Sequence, residues 1–277
     1  MNNTDGTLNV AERLEKQLPD SELLCTVAYD YKETLTDLLE RLESEKECAF
    51  NLTGGTKIMV LAGYAAAIQK KSVILYYRSE GHRNILYSLE FEKGSVVKSQ
   101  KQIVPAMING TPLLDCDAFL KAYLGYYIQD NNPDSNDKLF ERAIFKALSR
   151  DKNLEILQNI RPAGEKQIEI DLVIRRGLQF AIAEIKSGSI KGDTVKKGID
   201  QLSTAGSREY MGTYTTKILI LGRSVRSMCG DREHEVRDLA LAKRVHIIEI
   251  KDYHSEKDYL TLDQAEFVRR QINEKLK

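Results

Sequence analysis

Apolar and polar residues alternate along the run QIEIDLVIRRGLQFAIAEIK, residues 167–186, as they do in two strands joined by a tight turn. Arg176 and Gly177 are expected to form the hairpin loop, which places Asp171 across from Ile182. One face of this strand pair is then entirely apolar and is predicted to be buried. Its residues are Ile170, Leu172, Ile174, Ala181, Ala183 and Ile185.

The other face of the predicted hairpin collects charged side chains. Glu184 and Lys186 lie two residues apart on one strand and therefore point the same way. Asp171 is the diagonal neighbour of Glu184, roughly 7–8 Å away between backbones. A divalent cation fits between these carboxylates, and oxygen ligands suit Mg²⁺ or Mn²⁺. The alternative is an amphipathic hairpin whose charges are simply solvated.

This set of side chains suits phosphodiester hydrolysis, which places additional negative charge on an anionic phosphate. A metal ion held by Asp171 and Glu184 would offset that charge. Lys186 would orient the attacking water or help to deprotonate it, and would stabilise the transition state. The pattern therefore predicts a metal-dependent phosphodiesterase.

A helical pattern precedes the hairpin over residues 134–151. Its expected capping residue is Ser135, Asn136 or Asp137, and Glu141 lies at the edge of its buried stripe. The stripe consists of Leu139, Phe140, Ala143, Ile144, Ala147 and Leu148.

A second helix is predicted downstream over residues 195–205, with Gln201 beside its apolar positions. A strand at 216–222, a helix at 234–244 and a strand at 245–250 follow. The carboxy-terminal half is therefore an α/β domain.

The positions Glu141, Asp171, Glu184-Ile185-Lys186 and Gln201, in helix, hairpin, helix, strand order, resemble the PD-(D/E)xK restriction-endonuclease superfamily. The resemblance covers about half of the chain. It implies that Asp171 and Glu184 are inner metal ligands, Glu141 an outer ligand and Lys186 the catalytic lysine. Gln201 is the least specific of the catalytic positions. The implied cofactor is Mn²⁺ or Mg²⁺.

A second pattern lies in the amino-terminal half, where an apolar strand leads into Thr53-Gly54-Gly55-Thr56-Lys57 and then directly into a helix. Paired glycines let backbone amides approach a ligand, and the helix start adds partial positive charge. Two threonine hydroxyls and one ammonium supply further donors. The sequence is not a Walker A loop. It predicts an anion or nucleotide site, the alternative being an ordinary strand-to-helix turn.

The elements around this loop alternate between strands and helices, which predicts a Rossmann-like parallel sheet followed by a ribbon. In such sheets a glycine-rich loop at the carboxyl end of a strand binds ligands. Strands are predicted at 22–29, 47–52 and 72–78, helices at 31–44 and 58–69, and the ribbon at 84–91 and 95–104.

Asn51 to Lys57, followed by a helix of small residues, resembles the ligand-binding motif of CARF domains, the CRISPR-associated Rossmann fold. With a PD-(D/E)xK domain behind it, the chain resembles the ancillary nucleases of type III CRISPR systems. The resemblance implies a homodimer that binds a cyclic oligoadenylate, usually the tetra-adenylate, between two CARF domains. It also implies cutting of nucleic acid with Mn²⁺ or Mg²⁺. Thr53, Gly54, Gly55, Thr56 and Lys57 carry over as activator-binding residues.

The domain organisation follows from these elements. Residues 1–104 are predicted to form the CARF domain, residues 105–135 a connecting helix and linker, and residues 136–277 the nuclease domain. Only about fifty residues precede the glycine-rich loop, so the CARF sheet is expected to be reduced. Polar turn-formers over residues 129–136 predict the linker. An aromatic stripe before it is expected to pack against a domain or a second subunit; it consists of Phe119, Tyr123, Tyr126 and Tyr127.

Composition bounds the partners. With 41 basic and 41 acidic residues the chain has no global basic field, so affinity for nucleic acid must come from local clusters. The cysteines and histidines show no metal-binding or disulfide spacing, which predicts a reducing, cytoplasmic location. The longest apolar stretch, Ile58 to Ile68, is too short to span a bilayer. The candidate basic clusters are Lys186, Lys191, Lys196 and Lys197, and Arg223, Arg226 and Arg232.

We therefore expect a dimeric, metal-dependent endonuclease, activated by a cyclic oligoadenylate, that cuts single-stranded RNA or DNA or nicks duplex DNA. One alternative is a nuclease of the same superfamily that acts without a second messenger. Another is a sponge or ring nuclease that sequesters or degrades the cyclic nucleotide. The sequence leaves open the choice between RNA and DNA, the cleavage preference and the identity of the cyclic nucleotide.

Overall fold

The computed structural model describes residues 4–18, 20–80, 83–92, 95–105, 107–108, 111–112, 114–129, 138–164, 168–188, 194–212, 214–251, 253 and 257–276. The chain divides into two compact units. Residues 22–108 form the smaller unit, and residues 1–21 together with 109–277 form the larger one. Helix α1, Thr4–Glu15, belongs to the larger unit.

The smaller unit is built around a four-stranded sheet of order β1-β2-β3-β4. Strands β1 and β2 are parallel, whereas β2, β3 and β4 form an antiparallel ribbon. This unit contains α2 (Tyr31–Arg41), β1 (Ala49–Asn51), α3 (Lys57–Gln69), β2 (Val73–Glu80), β3 (Arg83–Glu92), β4 (Ser95–Val104) and β5 (Met107–Ile108).

Helix α3 connects the parallel pair and covers it closely. A Cβ atom on Gly63 would lie 2.7 Å from Cδ2 of Leu52, so any larger residue would require the Leu52 side chain to move. Ala66 and Ala67 pack on Phe50 and Ile74 in the small core. The small residues of α3 thus set how near the helix lies to the sheet.

The predicted strand at residues 22–29 does not form. Val27 is 47% exposed and Tyr29 78% exposed, so the apolar alternation of this segment is not buried. Side chains fix the segment against α2 instead: Thr26 Oγ1 donates to Asp37 Oδ2 at 2.7 Å, and Thr34 Oγ1 donates to the carbonyl of Val27 at 2.9 Å. The α/β class is confirmed, but only one strand pair of this sheet is parallel.

The larger unit contains a six-stranded sheet of order β12-β11-β10-β9-β8-β7. Strands β7 to β10 are antiparallel to one another, and β10, β11 and β12 are parallel. The strands of the sheet are β7 (Tyr127–Gln129), β8 (Leu154–Pro162), β9 (Ile170–Arg176), β10 (Gln179–Lys186), β11 (Thr216–Leu221) and β12 (Val245–Glu249). The short strand β6 (Thr111–Pro112) also belongs to the larger unit but lies outside this sheet. Its further helices are α4 (Cys116–Leu124), α5 (Leu139–Leu148), α6 (Thr194–Ala205), α7 (Arg208–Met211), α8 (Val225–Cys229), a 3-10 turn (Gly230–Arg232), α9 (Glu233–Ala242) and α10 (Leu262–Lys275).

Both faces of the six-stranded sheet are buried. One face packs against α4, α6 and α9 through side chains such as Ile182, Ile199 and Val236. The other face packs against α5 and α10 through Ile144, Ile185 and Val268. Burial on both sides explains why the parallel strands read as nearly continuous apolar runs.

The hairpin forms at the predicted place but in a different register. The loop is Gly177-Leu178, since Arg176 pairs with Gln179 and Leu172 pairs with Ala183. Gly177 has φ 62°, as the first position of such a two-residue loop favours. The shift is two residues, so every side chain keeps its predicted face and the predicted apolar set is buried. Continuing the register places Asp171 opposite Glu184, not opposite Ile182.

The segment before the predicted linker is part of the larger unit. Helix α4 ends at Gly125, which has φ 76°, and β7 then joins the edge of the sheet. Phe119 stacks on Phe180 with ring centroids 3.9 Å apart, and Arg13 Nη1 of α1 donates to the carbonyl of Tyr123 at 2.7 Å. The sequence predicted a separate connector over 105–135, whereas the contacts place residues 109–129 with the larger unit.

The predicted caps Ser135, Asn136 and Asp137 lie outside the described residues, as does most of the predicted linker. Helix α5 begins after Lys138, which makes no side-chain capping hydrogen bond. In the part of the chain that the structure describes, no helix combines the length and the apolar character needed to cross a membrane.

Candidate active site

The ends of two neighbouring strands bring three of the predicted residues together. Asp171 lies near the start of β9, and Glu184 and Lys186 lie at the end of β10. The backbone amide of Ile185 donates to Asp171 Oδ2 at 2.7 Å, and Lys186 Nζ donates to Glu184 Oε1. The hairpin thus presents two carboxylates and one ammonium on the same face.

Burial makes this cluster electrostatically unusual. Glu184 is 3% exposed; burial, followed by the charge of Asp171, raises its pKa to about 8. Burial also raises the pKa of Asp171 to about 6, which the hydrogen bond from Ile185 partly opposes. Burial alone would lower the pKa of Lys186, but the neighbouring carboxylates outweigh it and raise that pKa. The cluster therefore holds more acidic groups than its lysine can neutralise.

Helix α5 adds a third carboxylate. Phe140, Ala143 and Ile144 bury one side of this helix, which leaves Glu141 half-buried at the edge of the packed face. Burial and then the charge of Asp171 raise the pKa of Glu141 to about 7. Glu141 therefore belongs to the same electrostatic cluster as the hairpin carboxylates.

Sequence reasoning missed a second lysine beside this cluster. Lys138 Nζ lies 3.2 Å from Asn159 Oδ1, 3.6 Å from Glu169 Oε1 and 3.8 Å from Glu141 Oε2. Asn159 is 8% exposed and has φ 53°, a conformation that asparagine tolerates better than most residues. The register of β8 with β9 places it opposite Asp171. Lys138 and Glu141 are three residues apart, which is the spacing of a helical ion pair, whereas Asn159 and Glu169 come from separate elements that no spacing rule links to them.

The carboxylates of this cluster suit a metal ion by their chemistry, although each is engaged with other groups. Among the residues that the structure describes, no three His, Cys, Asp or Glu side chains are arranged as a ready-made metal site. Glu184 is bonded to Lys186 and Asp171 to the amide of Ile185. The chemistry of the donors nonetheless fits, since the charge of Asp171 raises the pKa of both Glu184 and Glu141, and such converging carboxylates favour a hard cation with oxygen ligands.

Gln201 and Lys186 line the same open groove, which places Gln201 beside this cluster. The groove has a volume of about 480 Å³ and is lined by Lys186 and by the polar face of α6. A second groove of about 360 Å³ continues along α6 toward Tyr210 and shares Asp200 and Gln201 with the first. The α6 residues in the first groove are Thr194, Lys197, Asp200 and Gln201.

The predicted basic clusters are only partly available. Lys196 and Lys197 are exposed on α6, whereas Lys191 lies outside the described residues. Arg226 lies 3.7 Å from Glu233 and is therefore partly neutralised.

The glycine-rich loop of the smaller unit is shaped by its own side chains. Thr53 Oγ1 donates to Asn51 Oδ1 at 2.5 Å and accepts from the amide of Tyr77 at 2.7 Å. Thr56 caps α3 by accepting from the amide of Met59 at 3.2 Å, and its hydroxyl donates to the carbonyl of Ala28 at 2.5 Å. Both hydroxyl hydrogens, predicted as ligand donors, are thus used to hold the loop.

The backbone of this loop is open to a ligand. Gly54 and Gly55 are exposed, and a Cβ atom on Gly54 would meet no atom within 4 Å. Gly55 has φ 94°, which only glycine adopts without strain. Lys57 is exposed at the first residue of α3. The structure therefore brings all five predicted residues into one accessible strand-to-helix turn.

Comparison with known proteins gives one family match and two structural likenesses. Residues 1–104 match the family model described as the Card1 CARF domain. The chain is similar in structure to Can2 from Sulfobacillus thermosulfidooxidans in complex with cyclic tetra-adenylate, with a TM-score of 0.66, 14% identity, and coverage of 99% of this chain and 90% of Can2. It is also similar to protein VC1899 from Vibrio cholerae, with a TM-score of 0.58, 13% identity and coverage of 99% and 88%. Comparison with curated proteins gave no match. At these identities the structural likeness establishes a shared fold.

Proposed function

We propose that this chain, whose residues 1–104 match the family model described as the Card1 CARF domain, is a metal-dependent endonuclease switched on by a cyclic oligoadenylate in type III CRISPR defence. The observation that carries the nuclease assignment is the convergence of Asp171, Glu184 and Lys186 on one face of the β9–β10 hairpin. Their order and spacing fit a PD-(D/E)xK site.

Each residue of this site has a separate task in the proposal. Asp171 and Glu184 would hold Mn²⁺ or Mg²⁺, with Glu141 as an outer ligand. When bound, the metal supplies positive charge that offsets the charge developing on the phosphate. The hydrogen bond from Ile185 fixes the orientation of Asp171. Lys186, with a side chain 22% exposed at the mouth of the groove, positions a water molecule and stabilises the transition state.

The substrate would lie in the grooves along α6. Lys197 offers a charge to a backbone phosphate, and Gln201 offers an amide that donates and accepts hydrogen bonds. Contacts of this type position a strand without reading its sequence. We therefore propose single-stranded RNA or DNA, or one strand of a duplex that is nicked, as the substrate.

The activator would bind at the turn formed by residues 53–57. The exposed backbone at Gly54 and Gly55 and the ammonium of Lys57 suit the phosphates of a cyclic oligoadenylate. The Can2 structure, which shares this fold, contains cyclic tetra-adenylate. Two copies of the chain would enclose the activator, so the proposed active form is a homodimer, and its proposed location is the cytoplasm.

The test is a cleavage assay on single-stranded RNA, single-stranded DNA and supercoiled plasmid, with Mn²⁺ or Mg²⁺ and with or without a panel of cyclic oligoadenylates. We expect cleavage only when both metal and activator are present. Full activity with metal alone would favour a nuclease without second-messenger control. Loss of the cyclic nucleotide without a cut in any polynucleotide would favour a sponge or ring nuclease.

Lys186→Ala tests the assignment of the catalytic lysine. We expect at least about a hundredfold loss of cleavage, with unchanged activator binding and a retained fold. Lys196→Ala is the matched control, because Lys196 is exposed on α6 and is not one of the groove residues. Full activity of Lys186→Ala would refute the proposed chemistry.

A further inference from the structure

A second polar pocket opens one strand away from the catalytic lysine. It has a volume of about 400 Å³ and lies where β11 and β12 end. The amide of Gly222, in the pocket wall, donates to the carbonyl of Lys186 at 2.9 Å. Adjacent strands are about 5 Å apart, so the pocket begins within one strand spacing of the active site. Its lining residues are Gly222, Arg223, Ser224, Ser227, Lys251 and Tyr253.

The pocket is positively charged. Arg223 and Lys251 are both exposed, and no carboxylate of the described residues forms an ion pair with either of them. The neighbouring Arg237 differs in this respect, since it bonds to Glu249 at the end of β12. Two unbalanced cations that share one pocket attract an anion.

The walls of the pocket are held in place by the residues that follow the catalytic strand. A Cβ atom on Gly222 would lie 2.6 Å from the carbonyl oxygen of Ser187, which makes this packing specific to glycine. Gly188 has φ 79°, and its Cβ position is 3.2 Å from the side chain of Arg223. The chain that leaves Lys186 therefore positions Arg223.

The other wall of the pocket contacts α5, the helix that carries Glu141. Tyr253 is 8% exposed, and its ring centroid lies 4.3 Å from that of Phe140, the residue before Glu141. Gln264 Nε2 donates to the carbonyl of Lys251 at 2.8 Å and fixes the backbone there. The pocket is thus built on the same elements that carry Lys186 and Glu141.

We propose that this pocket binds a backbone phosphate of the nucleic-acid strand, next to the phosphate that is cut. Arg223 and Lys251 pair with the phosphate, and the hydroxyl of Ser227 donates to it. This inference rests on the proposed nuclease function and extends it. The strand runs from the α6 grooves past Lys186 to the pocket, along the carboxyl ends of β10, β11 and β12. Such a contact adds affinity for any sequence.

The test measures binding of a fluorescent single-stranded 20-mer, as RNA and as DNA, over a series of salt concentrations. The protein carries Lys186→Ala and is saturated with Mn²⁺ and cyclic tetra-adenylate, so the strand stays intact. Adding Arg223→Ala and Lys251→Ala should weaken binding by about tenfold or more for every sequence and lower the salt slope by about one. The charge-retaining pair Arg223→Lys and Lys251→Arg should restore binding.

Arg150→Ala with Lys152→Ala is the matched control. These substitutions remove the same amount of positive charge from the segment just before β8. That segment lies at the end of the sheet that carries the hairpin loop, because Leu154 pairs with Arg176. The control should bind as tightly as the parent. Equal loss in both double variants, or an unchanged salt slope in Arg223→Ala/Lys251→Ala, would overturn the pocket assignment.

Two further readouts separate this inference from the proposed function. With Lys186 intact, Arg223→Ala/Lys251→Ala should raise the KM for the strand and leave the affinity for the cyclic nucleotide unchanged. Normal cleavage with an unchanged KM would overturn the pocket and leave the nuclease assignment standing. A loss of cyclic-nucleotide affinity would show that the pocket binds another ligand. If the parent protein cut no polynucleotide, the proposed function itself would fail.

Discussion

Glu184 is only 3% exposed, and the charge of Lys186 acts on it together with Asp171 and Glu141, while Lys138 lies beside Glu141. Burial raises the pKa of all three carboxylates, and the charge of Asp171 raises the pKa of Glu184 and of Glu141 further, so the folded protein holds protons that the unfolded chain would release. The same shortage of positive charge favours a cation at the site. Proton binding and metal binding therefore compete for the same oxygens.

This competition predicts that the thermal stability of metal-free protein and of Mn²⁺-bound protein depends on pH in opposite directions. Unfolded Glu and Asp have pKa values of about 4.3 and 3.9, and the folded value for Glu184 is about 8. Protons therefore stabilise the metal-free folded state at low pH, and this stabilisation is lost as pH rises through the folded pKa. We expect chelated protein to melt at a lower temperature at pH 8 than at pH 5.5.

Metal should reverse that trend, because deprotonated carboxylates bind Mn²⁺ more tightly. Melting curves with and without Mn²⁺ at both pH values provide the measurement, and the stabilisation by Mn²⁺ should be larger at pH 8. The control is Asp171→Asn/Glu184→Gln, which should lose both effects. An equal shift on adding Mn²⁺ at pH 5.5 and at pH 8 would contradict the assignment of these residues as ligands.

Among the helices and strands, the position of α6 decides whether the groove and the hairpin meet. This helix crosses β10 and β11 at Gly198, where a Cβ atom would lie 2.8 Å from Leu219 Cδ1 and 3.7 Å from Glu184 Cγ. Its buried face carries Val195, Ile199 and Leu202, and its polar face lines the groove. A change at Gly198 should therefore disturb both stability and the site.

Gly198→Ala is expected to destabilise the protein by about 1–3 kcal/mol, because the overlap with Leu219 forces α6 away from the sheet. Urea unfolding measures this cost, and cleavage should fall in parallel. Shortening the opposing side chain in Gly198→Ala/Leu219→Val should recover part of both losses. If Gly198→Ala were as stable and active as the parent, the contact between α6 and β11 would not be tight.

The periodic elements could be predicted from the sequence, because each depends on local spacing. Helices α3, α5, α6 and α9 and the hairpin strands lie where the apolar periods place them. The hairpin register was wrong by two residues because an even shift buries the same side chains, so the pattern alone cannot distinguish the two registers. The expected strand at 22–29 does not form, since hydrogen bonds to α2 hold this segment and its alternating apolar side chains stay exposed.

The site divides in the same way. Asp171, Glu184 and Lys186 are brought together by one hairpin and could be predicted from local pairing. Lys138 meets Asn159 and Glu169 through contacts between elements that are distant in the sequence, which no local pattern encodes. The CARF resemblance, first based on Asn51 to Lys57, is confirmed by the family model over residues 1–104.

At the scale of the whole molecule, α3 presents apolar side chains that the smaller unit does not bury. Its sequence KIMVLAGYAAAIQ is apolar on nearly every side, and such helices are normally buried. Ala62, Gly63, Ala66 and Ala67 pack inside the smaller unit, yet Leu61 is 55% exposed and Tyr64 40% exposed. Adjacent exposed apolar side chains on one helix indicate a surface that another copy of the chain would bury, as the proposed homodimer requires.

We therefore expect the protein to be a dimer at micromolar concentration. Leu61→Glu should weaken that dimer at least about tenfold, because the interface would then bury an unpaired carboxylate. Sedimentation equilibrium measures the change, and cyclic tetra-adenylate should then bind more weakly at low protein concentration, since the dimer that encloses it is depleted. Leu241→Glu is the control: Leu241 is 78% exposed on α9 of the larger unit, and the same added charge there should leave the dimer intact. A wild-type monomer, or a Leu61→Glu variant that dimerises as tightly as the parent, would rule out this face of α3 as the interface.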